Sequence, residues 1–542
     1  DYSGTVTNAY VAMGADSDNV FEIDGNEKSG ATEADTIAHT VTNVTAYQEF
    51  DNSAKLDQYG NWKSNAKGTY SNVVYKGFAA GTRIEAITSN TDITFSNFDF
   101  VTSDALTDIT SDTDLTAAAE VISEQDYSTG ASEYEFNNWT AYDFNKSAFN
   151  SAISIGDGTL TYIDTDTSWT GDVSIAGKVV IQSGATLTIA AGTVVKATFT
   201  ANPVDATALI VAKGGKLNAV GTATQPIIFT TEYDDLTATD VDDGKLVSTV
   251  NGAANDLTTR GLWGGIIMLG KGIVGEDGGE DDIEGVAEGY DFTTYGGTVA
   301  ADNSGILDYV SIRHGGATIA NGDEINGLTL GGVGSGTSIS NIEIISNDDD
   351  GIEFFGGNVD VTNILIFNQK DDAIDIDEAY AGTVTNAYVA MGADSDNVFE
   401  IDGSEDGSGT PVTGSYTIDG VTAYQAYDNS GKKDQYGHWK SGATGANNNI
   451  VFKGFAAGTY LEGVEKATFD AGTLTFSNLD FVTTDDLATV NSTNKRSASD
   501  EKAELTDTHA EILAAQAFNT GANEGKFAGW TAYGSVNPFT VN

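Results

Sequence analysis

Residues 339 to 403 read ISNIEIISNDDDGIEFFGGNVDVTNILIFNQKDDAIDIDEAYAGTVTNAYVAMGADSDNVFEIDG, and this stretch decides the fold. Three short apolar segments in it each open on Asn: Asn341-Ile342-Glu343-Ile344, Asn363-Ile364-Leu365-Ile366 and Asn386-Ala387-Tyr388-Val389, spaced by 22 and 23 residues. A repeat of that length with a short strand in each period is the mark of a solenoid. Each coil returns the chain to one face, strands of successive coils stack in parallel, aliphatic side chains fill the interior, and the Asn side chains can ladder between coils. Further rungs begin at Gly420, Asn449 and Asn478, spaced by 34, 29 and 29 residues as loop insertions lengthen some coils.

A larger repeat encloses this one. The segment Gly382 to Gly403 recurs without change at Gly4 to Gly25, a run of 22 identical residues. The match continues with VTAYQEFDNSAKLDQYGNWKS from Val44 against VTAYQAYDNSGKKDQYGHWKS from Val421, then NVVYKGFAAGT from Asn72 against NIVFKGFAAGT from Asn449. It closes on Trp139-Thr140-Ala141-Tyr142 against Trp530-Thr531-Ala532-Tyr533, with first-copy rungs expected at Asn8, Asn43, Asn72 and Asn97. Residues 1–150 are thus a partial unit copying 379–542, and 151–542 a complete unit whose opening coils lie in the alternating segments from Gly171 and Ala208. Between Lys495 and Phe518, the spacing of Leu505, Ile512 and Leu513 predicts a short amphipathic helix beside the solenoid, with a weaker counterpart at Leu115 to Ile122. The partial copy starts in mid-solenoid, Asp1 matching Ala379, so its first coil is expected to be covered by a neighbouring chain or an upstream unit.

Composition narrows the function. The 542 residues carry 25 Lys plus Arg against 80 Asp plus Glu, a formal charge of -55 that excludes general affinity for nucleic acid or anionic membranes and makes cations the natural partners. With 40% hydrophobic and 10% aromatic residues the chain can still build a core. There is no Cys, hence no disulfide, thiolate metal site or cysteine nucleophile. No apolar run is long enough for a membrane-spanning helix, and any export signal has been removed or lies outside this sequence. The 63 Gly and 4 Pro suit many short strands joined by tight turns.

Acidic clusters recur from coil to coil: Asp348, Asp349, Asp350 and Glu353; Asp371, Asp372, Asp375 and Asp377; Asp394, Asp396, Glu400 and Asp402. Asp16, Asp18, Glu22 and Asp24 repeat the last cluster in the first copy. Neighbouring strands lie about 4.8 Å apart, and carboxylates stacked at that distance repel unless they are protonated or bridged by a cation. Ca²⁺ is the apt bridge, because it takes six to eight oxygen ligands in flexible geometry. Neither contiguous calcium loop is present: Asp16 to Phe21 lacks the glycine of an EF-hand turn, and Gly331 to Gly336 lacks the aspartate of the GGxGxD repeat. A solvated acidic edge without metal is the competing reading.

The runs SGILDYVSIRHGG and DEINGLTLGGVGSGTSISNIEIISNDDDGIEFFGGNVDVTNILIFNQKDDAIDID, preceded by GATLTIAAGTVVKA, LIVAKGGKLNAVGTATQPIIFT, LWGGIIMLGKG and YGGTVAADNSG, carry a family resemblance. The chain resembles secreted or lipid-anchored right-handed β-helix repeat proteins of Bacteroidetes and other environmental Gram-negative bacteria, a family of unassigned activity. The resemblance spans about Trp169 to Asn542 and, through the repeat, the first 150 residues. It implies an all-β, right-handed parallel β-helix with short helical excursions, exported from the cell, and it supplies no active site.

Enzymes also use this architecture, so catalysis has to be weighed on residues. The acids are too numerous to single out a glycosidase pair. Arg313-His314 is the one basic pair near the acid runs that could serve a calcium-dependent lyase; a turn after the strand Val310 to Ile312 is the structural alternative. His39, His314, His438 and His509 are scattered, and Asn61 replaces His438 in the first copy. No nucleophile elbow, P-loop or dinucleotide fingerprint occurs. In the loops DQYGNWKS and DQYGHWKS, Tyr59, Trp62, Tyr436 and Trp439 could stack on a glycan or anchor a protein, or else pack against the solenoid. The sequence therefore predicts a non-catalytic structural or adhesive protein at the cell surface or outside it. It is stabilised by Ca²⁺ and self-associates head to tail, with extracellular polysaccharide as a second partner. A carbohydrate-binding or carbohydrate-active β-helix is the alternative.

Overall fold

The computed structural model describes residues 4–13, 17–24, 38–48, 59–63, 66–85, 92–101, 109, 119–122, 153–200, 206–247, 249–250, 253–254, 257–275, 279–286, 290–317, 325–403, 414–491, 502–507, 509–512 and 521–536. The chain forms two compact units, Asp1–Phe149 and Asn150–Asn542.

The second unit is a right-handed β-helix with three walls. The first wall is a ten-stranded parallel sheet running from Leu160–Ile163 through Lys178–Ile181, Ala208–Val211, Ile266–Leu269, Leu328–Gly331, Ile352–Phe355, Ile374–Asp377, Phe399–Asp402 and Gly437–Lys440 to Leu461–Glu462. In the early coils the other walls are separate strands, such as Lys216–Val220 and Ile227–Thr231. From Gly305–Arg313 onward one long strand per coil spans both, and Gly305–Arg313 itself pairs with both of those earlier strands. The interior is apolar along the whole length, from Ile163 and Trp169 to Leu479 and Ala510.

A bend divides each long strand, and local chemistry explains it. Tyr309, Asn341, Asn363, Asn386, Gly420, Asn449 and Asn478 occupy this corner with φ of 51°, 53°, 58°, 60°, 76°, 55° and 53°. Left-handed backbone is costly for most side chains and least so for Gly and Asn. Asn also ladders: Asn363 Nδ2 donates to Asn341 Oδ1 at 3.0 Å, and Asn386 Nδ2 to Asn363 Oδ1 at 2.7 Å. Where the corner is Tyr309 or Gly420, the preceding aspartate takes over as acceptor. Asn341 donates to Asp308 at 2.7 Å and Asn449 to Asp419 at 2.6 Å.

Excursions cover the outer faces. Phe527, Trp530 and Tyr533 pack on Leu365, Phe367 and Tyr388 of the third wall. Ile283, Phe292 and Tyr295 pack on Val180, Ile210 and Ile267 of the first.

The first unit repeats the architecture. Thr5–Met13, His39–Gln48, Lys67–Lys76, Asp92–Val101 and Ala119–Ile122 form a parallel sheet, with Glu22–Asp24, Gly60–Lys63 and Ile84–Glu85 as a second. The expected ladder is present: Asn43, Asn72 and Asn97 donate to Asn8, Asn43 and Asn72, each at 2.9 Å.

Where the two windows expected to be helical are described, they contain strands. Ala510–Ile512 is a strand pairing in parallel with Leu479–Phe481, and Ala119–Ile122 pairs likewise with Phe98–Val101. An isolated helix this short is unstable in water, whereas the coil ladder satisfies the backbone and lets Leu505 and Ala510 join the core. Leu513 and Trp139 to Tyr142 lie outside the described residues. Short helices stand instead at Ala238–Asp242, Lys466–Asp470, Leu487–Val490 and Ala532–Val536.

Candidate metal centre

Strands of the first wall alternate inward and outward, so each outward position stacks into a column along the solenoid. One column runs in register through Tyr162, Val180, Ile210, Ile267, Thr329, Glu353, Asp375, Glu400, His438 and Glu462. It begins apolar and turns acidic. Beside it, the corner preceding each strand places Asp350 and Asp372 one above the other. The Asp372 amide donates to Asp350 Oδ1 at 2.8 Å, and the Asn397 amide to Asp372 Oδ1 at 2.5 Å.

The two stacks converge into carboxylate triads. Asp350, Glu353 and Asp375 form one and Asp372, Asp375 and Glu400 another, the oxygens within each lying within 4.8 Å of one another. Asp375 belongs to both. A third group, Asp349, Asp350 and Asp371, lies further out.

The central acids are buried: Asp350, Glu353, Asp372 and Asp375 expose 6%, 5%, 2% and 7% of their surface. Burial, followed by the negative charge of neighbouring carboxylates, pushes all four carboxyls well above their usual range. Burial also pulls Glu400 upward, but hydrogen bonds from His438 and Lys440 outweigh it and hold its carboxyl well below that range. Lys440 Nζ lies 2.8 Å from Glu400 and 2.7 Å from Asp402. Glu400 thus has a built-in cation beside it, whereas Glu353 and Asp375 of the column and Asp350 and Asp372 of the corner stack are bound to no basic side chain among the described residues.

Two ways of neutralising those acids are chemically open, protonation and a metal ion. The donor set fits Ca²⁺: it is all oxygen, and two ligands on opposite sides of an ion at about 2.4 Å each lie about 4.8 Å apart. Asp375 Oδ1 is buried without a hydrogen-bond partner, as is Oδ1 of Asn326, whose amide nitrogen bonds Glu353. Residues able to hold the ion are thus Asp350, Glu353, Asp372, Asp375 and Glu400.

The other described acids expected at the metal lie outside these triads. Asp348, Asp394 and Asp396 form ion pairs with Lys370 at 3.7 Å, Arg260 at 2.8 Å and Lys432 at 2.6 Å. Asp377 is half-buried on the neighbouring outward column, and Asp402 is held by Lys440. In the first unit Glu22 pairs with Lys63 at 2.7 Å, Asp18 is exposed, Asp24 is in register with Lys63, and Asp16 lies outside the described residues. Every carboxylate triad among the described residues lies in the second unit.

The aromatic contact residues require a correction. Tyr59, Trp62, Tyr436 and Trp439 are all at most 1% exposed. Trp62 and Trp439 are the inward members of Gly60–Lys63 and Gly437–Lys440, and both tyrosines pack inside on Phe100 and Phe481. They build the core and cannot reach a glycan. Arg313 is buried in a long strand of the other sheet, donating through Nε to Ser311 Oγ and through Nη1 to the Leu246 carbonyl, with Nη2 3.5 Å from Glu343. His314 Nδ1 lies 2.7 Å from the Thr259 carbonyl oxygen. Neither stands beside the acid column as a base. Sequence reading passed over Asn326 and Asn397, although Asn397 lies one coil, 25 residues, after Asp372.

A core of stacked coils walled by parallel sheets defines a parallel β-helix protein. Residues 159–255 and 240–533 match the pectate-lyase-like β-helix domain family, and the chain belongs to that family. No curated protein and no solved structure matches the chain.

Proposed function

We propose that this protein is an extracellular structural β-solenoid whose coil stack is held together by Ca²⁺ in the buried carboxylate column. One observation carries the reading: Asp350, Glu353, Asp372 and Asp375 are buried side by side with no basic side chain among the described residues bound to them. Four such charges oppose folding unless neutralised, and a divalent ion shared between successive coils converts that repulsion into a cross-link. Extracellular calcium modules bind at about 10⁻⁴ to 10⁻³ M, which suits an exported protein. The repeated coil sequence supports a modular rod that associates end to end and adheres at the cell surface.

A second reading, a carbohydrate-active β-helix, is favoured by the description of the family and by His438 and Lys440 beside an acid triad. Burial of the acids argues against it, since a polysaccharide needs an open cleft to reach them. Calcium titration by calorimetry together with incubation on pectin, alginate and β-glucan separates the two. The structural rod binds calcium and releases no unsaturated or reducing products. Release that disappears in Glu400→Gln would establish the enzyme instead.

A further inference from the structure

We propose that Lys440 is a tethered cation, holding between Glu400 and Asp402 the position that a metal ion takes between the preceding rungs. The inference rests on the calcium reading and deepens it, because it states where the ion column stops and why.

Three observations meet at this position. Lys440 Nζ makes near-equal contacts of 2.8 and 2.7 Å with carboxylates of one strand, Glu400 on the acid column and Asp402 on its neighbour. Those contacts are only slightly longer than the 2.3 to 2.6 Å of a Ca²⁺–oxygen bond, so an ammonium and a calcium ion occupy nearly the same space between the same oxygens. Asp402 Oδ1 is buried without a hydrogen-bond partner, so the site holds an acceptor that the ammonium leaves unused. A divalent ion has the coordination number to take it.

The first unit holds one of the two contacts, a lysine on the first acid of the strand before it. Lys63 stands in register with Asp24 and contacts Glu22 at 2.7 Å, and no carboxylate triad occurs there among the described residues. The pair Glu400 and Asp402, facing Lys440 on the next strand, is thus closed internally. Asp350, Glu353, Asp372 and Asp375 contact no basic side chain among the described residues, and this difference sets the number of ions.

The test replaces the ammonium by an apolar side chain of similar length, Lys440→Met, and counts bound calcium by native mass spectrometry and calorimetry against the wild type. The variant is expected to bind one more Ca²⁺ per chain, to melt lower than wild type in chelator, and to recover most of that deficit in calcium. The double variant Lys440→Met/Asp402→Asn is expected to fold in chelator and to gain no ion, which guards against simple misfolding of the single variant. An unchanged ion count, or a stability deficit that calcium leaves in place, overturns the inference. The wild-type count separates this from the parent reading. Calcium bound by wild type with no extra ion in the variant sinks Lys440 alone. No calcium in wild type but one ion in the variant supports Lys440 while removing the calcium-held column. No ion in either removes both.

Discussion

Asp375→Asn is the most informative single change, because Asp375 is shared by the two inner triads and Asn preserves its shape. At 4.8 Å and an effective dielectric of about 20, two ionised carboxylates repel by about 3.5 kcal/mol. Without divalent ions, the variant removes such a term for each ionised neighbour, so it should be more stable than wild type in chelator at pH 8. With calcium at 100 times its dissociation constant, the wild type gains about 2.7 kcal/mol per site, or roughly 5 kcal/mol for two sites. The variant loses an anionic ligand from both and should forfeit most of that gain. Thermal unfolding followed by circular dichroism, in EDTA and in 10 mM calcium, should therefore give curves whose order reverses. A purely structural hydrogen-bonding role for Asp375 destabilises the variant in both buffers, and a solvated acidic edge leaves it unchanged in both. Either result refutes the reasoning.

Other outcomes follow from the same geometry. In chelator, stability should be greatest in mild acid: the raised carboxyls of Asp350, Glu353, Asp372 and Asp375 contribute fully below about pH 4 and lose that contribution as pH climbs through their folded-state values. Glu400, depressed by His438 and Lys440, acts in the opposite direction, and calcium should flatten the alkaline side of a melting-temperature profile. Asn363→Ala should cost about 2 to 4 kcal/mol in urea unfolding, from two lost ladder bonds and the left-handed corner, with Asn363→Gly costing less because it keeps the corner unstrained. Trp439→Ala should cost about 3 to 5 kcal/mol by emptying core volume, while leaving any glycan retention on affinity gels unchanged. Arg313→Met should cost about 3 to 5 kcal/mol, because Glu343, fully buried, keeps among the described residues Ser311 and the Tyr533 amide as partners but loses its cation.

The coil path was legible because its signals are local and repeated. A left-handed corner every coil selects Asn, and the inward positions select aliphatic residues, so Asn341, Asn363 and Asn386 announce the period without any tertiary knowledge. The strand at Ala510–Ile512 was misread for the opposite reason: its pairing partner at Leu479–Phe481 lies 31 residues earlier, beyond any helical window. Of the site, the stacking of acids could be read from spacing, but depth could not. Asp350 and Asp348 are two residues apart in sequence, yet one is buried in a triad and the other is paired with Lys370 at the surface. The aromatic loops failed similarly, since DQYGHWKS looks like a polar turn until the strand Gly437–Lys440 turns Trp439 inward and His438 and Lys440 outward.

That alternation also explains how one wall can serve two ends. Along a single outward column, Val180, Ile210 and Ile267 are covered by Ile283, Phe292 and Tyr295, so the early coils are locked by apolar burial. From Glu353 to Glu400 the same column presents carboxylates, and Tyr295 marks the crossover, its ring on Phe355 and its hydroxyl donating to Glu378 at 2.5 Å. Apolar covering is permanent once folded, whereas a carboxylate column is held only as long as protons or cations occupy it. The distal coils should thus open first when calcium is withdrawn at neutral pH, and the proximal coils should stay closed. Hydrogen exchange in chelator tests this directly. Amides of Ile374–Asp377 and Phe399–Asp402 should lose protection while those of Lys178–Ile181 and Ala208–Val211 keep it, and uniform loss across all four strands would show that the column does not act as a separate fastening.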